Sequence, residues 1–240
     1  MSMNDCINVQ KEYINFNLFY LTVALLYLPL IFILRNCPKY NLTNFSFIWN
    51  LLSCIYGGIT AYLLFKDRIM LYIFNFNDTV CMDLNPTGSI ITIYTMFIFL
   101  FSKIPEMIDT IILRLTKKPV NFLHWFHHIT VMLYCWYVGN YYKCGKPNGY
   151  LLLFAGMNAF VHFVMYGYYA IAVYWKGIYR YAQAITVVQL FQFVIGVYAL
   201  ITANSCVDDK GLIYCGLFIY ISYLVLFLMY YFKRYSKKRK

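Results

Sequence analysis

The chain has 240 residues, 62% of them hydrophobic and only 12% charged, with a mean hydropathy of +0.60 and a formal net charge of +11. So little charge does not cover a water-soluble fold, because ordinary domains carry about 25% charged residues. The 21% aromatic content excludes a disordered chain, and the length excludes a small disulfide scaffold. The composition is that of an integral membrane protein.

Roughly 30 Å of hydrocarbon needs about 20 mostly apolar helical residues. Seven stretches qualify in chain order: 14–34, 44–65, 89–115, 121–139, 149–174, 180–202 and 211–232. Strict alternation is missing, which argues against a β-barrel. The expectation is an all-α membrane protein of seven transmembrane helices, one domain over 1–240 with a basic tail at 233–240. The first stretch is too long for a signal-peptide core and reads as an uncleaved helix. Segment 66–88 mixes apolar and polar residues and is expected partly in the interface.

Orientation follows the excess of Lys and Arg on the cytosolic side. A cytosolic C-terminus and lumenal N-terminus put thirteen basic residues on the cytosolic face and six on the other, with Lys103 left inside the third stretch. Topology plus anionic lipid accounts for such a face, and so does a mouth that attracts a polyanionic substrate. No soluble module exists to bind nucleic acid. Lys237 and Lys238 resemble the dilysine signal that returns membrane proteins to the endoplasmic reticulum. The eight cysteines form no C-x-x-C pair; this topology puts Cys6, Cys81, Cys144 and Cys206 in or near the lumen, and Cys81–Cys206 is the preferred disulfide among them. Asn77-Asp78-Thr79 is a glycosylation sequon on the same side.

Ionisable groups inside a bilayer are costly and mark function. All four histidines fall in two stretches: His124, His127 and His128 on one face of the fourth, and His162 on the fifth. Asn158, His162, Met165, Tyr166 and Tyr169 share a face of the fifth stretch. The third carries Lys103, Glu106, Asp109, Thr110 and Arg114, and the sixth carries Gln189 and Gln192. Three chemistries fit. Histidine-box membrane oxygenases hold iron with many more histidines, although one zinc needs only about three or four ligands. A carrier usually shows repeated halves and broken helices, which are missing here. A neutral imidazole in an apolar cavity keeps its lone pair for nucleophilic or acid–base work, with a carboxylate such as Asp109 to fix its tautomer.

Four blocks in order then resemble the ELO family of fatty acid elongases: Lys103-x-x-Glu106-x-x-Asp109-Thr110, His124-x-x-His127-His128, Asn158-x-x-x-His162-x-x-Met165-Tyr166-x-Tyr168-Tyr169, and Thr186-x-x-Gln189-x-x-Gln192. The resemblance implies that helices two to seven form an inverted barrel around an acyl tunnel in the endoplasmic reticulum membrane. It implies condensation of a long-chain acyl-CoA with malonyl-CoA to a 3-oxoacyl-CoA two carbons longer, with no cofactor. His127 would carry the acyl group as an acyl-imidazole. His124 and His128 would orient it or relay protons, Asp109 would support them, and His162 would assist decarboxylation. Lys103, Arg114, Lys117, Asn158, Tyr166 and Tyr169 are the implied contacts for CoA or malonate, while Gln189 and Gln192 shape the cavity or hydrogen-bond the thioester region. Glu106 is expected as a buried partner of Lys103. Association with itself and with the reductases and dehydratase of the cycle is also implied. Phe191, Phe193, Tyr198, Tyr214, Phe218 and Tyr220 are the bulky residues available to close the tunnel.

Overall fold

The computed structural model describes residues 3–82, 90–141 and 149–235, with side chains over 18–82, 91–139 and 149–235. Lys237 and Lys238 lie outside the described residues. Regular structure among the described residues is entirely helical: α1 (Met3–Arg35), α2 (Thr43–Phe65), α3 (Ile69–Phe74), α4 (Phe76–Cys81), α5 (Ile90–Ser102), α6 (Ile108–Leu115), α7 (Phe122–Tyr141), α8 (Gly149–Tyr174), α9 (Ala182–Ala203) and α10 (Lys210–Tyr235). Among the described residues, five segments are long and apolar enough to cross a membrane: Leu18–Arg35, Thr43–Phe65, Gly149–Tyr174, Lys176–Ala203 and Lys210–Tyr235. The protein is an all-helical, multi-span membrane protein. The helices cluster into two compact units, Met1–Leu42 with Asp83–Pro147, and Thr43–Met82 with Asn148–Lys240.

In the first unit, α1 packs on α6 and α7 through one narrow stripe. Its buried residues are Tyr20, Ala24, Tyr27 and Ile31, spaced four, three and four apart, which is one face of a helix. The third stretch is not the continuous helix expected from hydropathy. It breaks after Ser102, passes through a 3₁₀ turn at Pro105–Met107 and restarts as α6. Pro105 has no N–H for the Phe101 carbonyl, which accepts instead from the Ile104 N–H at 3.1 Å. Just before the break, Tyr20 donates its hydroxyl proton to the Leu100 carbonyl at 2.8 Å.

Helix α6 stops in a Schellman arrangement: the Lys118 N–H donates to Leu113 O at 2.8 Å and the Lys117 N–H to Arg114 O at 3.1 Å. Lys117 therefore takes the left-handed position (φ 59°) that glycine usually fills. Its ammonium donates to the Arg35 carbonyl at the end of α1, at 3.0 Å. Pro119 follows, and Asn121 then caps α7 by accepting the His124 N–H on Oδ1 at 2.8 Å. Two short, opposed capping devices thus set where α7 begins and which way its histidines face.

The second unit is built on α8, which packs against α2 and α9. A Cβ on Gly57 would stand 2.9 Å from both Ala159 O and Phe163 N, so α2 meets α8 backbone to backbone. The segment after α2 forms α3 and α4, a short hairpin on the end of α8. Tyr72 donates to Gly149 O at 2.6 Å, and the Gly149 N–H donates to Met82 O at 2.9 Å. The expected disulfide is present, joining Cys81 of α4 to Cys206 beyond α9 with a Cα–Cα distance of 5.6 Å. Asn77 of the sequon is exposed on α4, and its Thr79 is buried with its hydroxyl donating to Asn75 O.

Candidate active site

The histidine run occupies the first two turns of α7. The rings of His124 and His128 lie 4.5 Å apart between centroids, and those of His127 and His128 meet edge to face at 5.5 Å. His128 is buried, while His124 and His127 are half-buried. His124 Nε2 lies 2.8 Å from Thr110 Oγ1, and that hydroxyl lies 2.8 Å from the phenol oxygen of Tyr27. The Tyr27 ring also stands 6.4 Å from that of His128. Asp109 sits half-buried in the same turn of α6 as Thr110. The hydroxyl beside the expected carboxylate is thus the group bonded to His124, a role the sequence reading did not assign.

Lys103 was expected to reach CoA or malonate, and in the structure it reaches Glu106. Its ammonium is 2.6 Å from Glu106 Oε1 and 4.4 Å from the centre of the Phe99 ring, in a side chain 1% exposed. The break at Pro105 turns both ends of the pair inward. Glu106 is the buried partner of Lys103, as the sequence suggested. Arg114 is half-buried on α6, with its Nε enclosed and without a hydrogen-bond partner among the described residues. Lys117 is exposed and spends its ammonium on the end of α1.

In the second unit Asn158, His162 and Tyr166 follow one another at intervals of four on α8. Asn158 and Tyr166 are buried, and the His162 and Tyr166 rings stand 5.5 Å apart, nearly perpendicular. Tyr169, expected on the same face, is 44% exposed and lies beside Tyr168. Gln189 of α9 donates to the Met165 sulfur at 3.5 Å, joining the third and fourth sequence blocks, and Gln192 is buried one turn further on. No group of three or more His, Cys, Asp or Glu side chains among the described residues converges to hold a metal.

Tyr27 was missed by the sequence reading. Its signal was present in the spacing of Tyr20, Ala24, Tyr27 and Ile31, but a tyrosine in a membrane helix reads first as an interfacial anchor.

The model of the ELO, GNS1/SUR4 family matches residues 12–240 of the chain. Over 233 residues the chain is 38% identical to "Very long chain fatty acid elongase 4" of Trypanosoma cruzi, a match covering 90% of this chain and 79% of that protein. It is 33% identical over 252 residues to "Fatty acid elongase 3" of Trypanosoma brucei brucei, covering 90% and 81%. Human "Very long chain fatty acid elongase 6" is 31% identical over 218 residues, covering 87% and 79%. The chain belongs to the ELO (GNS1/SUR4) family, the family of the fatty acid elongases.

Proposed function

We propose that the chain is the condensing enzyme of fatty acid elongation, joining a long-chain acyl-CoA to malonyl-CoA in the endoplasmic reticulum membrane, with its basic C-terminus cytosolic. The observation that carries the reading is the cluster of three imidazoles on α7, with centroids 4.5 and 5.5 Å apart and one ring bonded to a buried threonine. A neutral imidazole keeps a lone pair with which it can attack a thioester carbonyl.

In this reading a ring nitrogen of His127 attacks the thioester carbonyl, the carbon–sulfur bond breaks and CoA leaves as the thiolate. The acyl group stays on the imidazole. Malonyl-CoA then loses CO2, and its enolate carbon attacks the acyl carbon, releasing neutral His127 and the 3-oxoacyl-CoA. One proton from solvent converts the thiolate to free CoA. His128 and Asp109 support the nucleophile, and His162 assists decarboxylation from α8. Arg114, Asn158, Tyr166 and the glutamines serve binding and cavity shape, and no cofactor takes part. Lys103, already paired with Glu106, is left to structure. The enzyme works beside the reductases and dehydratase that complete the cycle, and with other copies of itself.

Pure protein mixed with radiolabelled acyl-CoA and no malonyl-CoA should retain label after denaturation, and His127→Ala should retain none. Normal turnover in His127→Ala would remove the covalent assignment.

A further inference from the structure

Two buried hydroxyls from α1 and α6 form a chain that ends on His124. Tyr27 and Thr110 are 2% and 1% exposed, and both links in the chain measure 2.8 Å. A threonine hydroxyl has one proton to give, so the chain has a direction. If His124 Nε2 donated, Thr110 would pass its own proton to Tyr27, and the buried phenol would meet no further acceptor among the described residues. If both neighbours donated to Thr110, the threonine proton would be stranded in the same way. A buried donor left unmade costs more than a made bond returns. Only one arrangement gives both buried hydroxyl protons an acceptor: Tyr27 donates to Thr110, and Thr110 donates to His124 Nε2. A neutral His124 then carries its proton on Nδ1, the nitrogen on the other side of the ring.

We propose that Tyr27 is a positioning residue for condensation, holding His124 through Thr110 as the Nδ1–H tautomer so that this ring offers a hydrogen-bond donor rather than a lone pair. The inference rests on the condensing reading above and divides the labour within it. His127 supplies the nucleophile, and His124 supplies a fixed N–H for the oxygen that gains charge when the thioester carbonyl is attacked. A donor already oriented before that charge develops needs no reorganisation when it does. It also gives α1 a task. Its stripe of Tyr20, Ala24, Tyr27 and Ile31 seats one phenol in register with Thr110.

Two measurements test this. Magnetic resonance of histidine-labelled wild-type protein, with His124 assigned by its loss in His124→Gln, should find the proton of His124 on Nδ1; a proton on Nε2 would overturn the proposal whatever the kinetics of the other variants. Steady-state kinetics should find kcat of Tyr27→Phe lowered about tenfold, the scale of one lost hydrogen bond, with KM for acyl-CoA within about twofold. Thr110→Val should lose at least as much, Thr110→Ser should recover most of that loss, and adding Tyr27→Phe to Thr110→Val should cost nothing more. Wild-type kcat in Tyr27→Phe, or losses that add in the double variant, would refute the chain of control while leaving condensation intact. Absence of condensation in the wild type would instead refute the parent reading, and the tautomer measurement would still decide this one.

Discussion

Lys103 Nζ and Glu106 Oε1 stand 2.6 Å apart inside the first unit, one turn beyond the end of α5 and across Pro105. Burying two charges is repaid only while both are present, so removing one strands the other at about 3–5 kcal/mol. Glu106→Gln and Lys103→Met should each lower the melting temperature in detergent strongly, and the double variant Lys103→Met with Glu106→Leu should melt above either. A Glu106→Gln protein that melts like the wild type would show that the pair does not hold the break in place.

The Cys81–Cys206 disulfide closes 125 residues of chain and fastens the α3–α4 hairpin to the turn beyond α9. Removal of a native disulfide costs about 2–5 kcal/mol, through the freedom returned to the unfolded chain. Peptide mapping without reductant should recover the two cysteines as one linked species. Replacing both with alanine should lower the unfolding temperature while leaving α7 and its histidines in place. Free thiols at both positions would contradict the structure directly.

Much of this architecture was legible in the sequence, because a bilayer makes hydropathy a strong signal. Helices α2, α8, α9 and α10 lie close to where composition put them. The break at Pro105 was not legible, since hydropathy does not register a missing N–H, and residues 103–109 were read as continuous helix. Helix α1 also runs past the apolar stretch, starting at Met3 rather than near residue 14. At the site, the histidines and the Lys103–Glu106 pair were visible because charge and imidazole are rare in such a chain. Tyr27 was not, being one of 26 tyrosines. The faces of the bulky aromatics were hidden for a related reason: lipid and interior are both apolar, so periodicity does not separate them.

Gly149 fixes the second unit at the hairpin. A Cβ there would lie 1.6 Å from Thr79 O, a backbone atom held by α4. Gly149→Ala should therefore destabilise by about 1–3 kcal/mol, the usual cost of overpacking, and should loosen the Tyr72 contact. Tyr72 gives this region a pH signature. Burial raises its phenol above the ordinary tyrosine range. The unfolded chain then loses this proton first, so stability falls as pH climbs past about 10. Tyr72→Phe should flatten that alkaline slope in a series of melts, and an unchanged slope would assign it to other groups.

Six bulky residues of α9 and α10 were available to limit the acyl chain, and the structure divides them. Phe191, Tyr198, Tyr214 and Phe218 are exposed, whereas Phe193 and Tyr220 are buried with ring centroids 5.8 Å apart. Tyr220 also meets Phe154 at 5.2 Å, and it lies so close to Gly196 that a Cβ there would sit 2.0 Å from its ring. The glycine is what lets this tyrosine enter between α8, α9 and α10. If the chain condenses acyl-CoA as proposed, a fatty chain that reaches this level stops against Tyr220. Tyr220→Ala should then lengthen the products made from labelled malonyl-CoA and a ladder of acyl-CoA substrates, by one further two-carbon step or more. Phe191→Leu and Phe218→Leu should leave the ladder unchanged. A longer product from either outward variant, with none from Tyr220→Ala, would place the length limit on another surface of these helices.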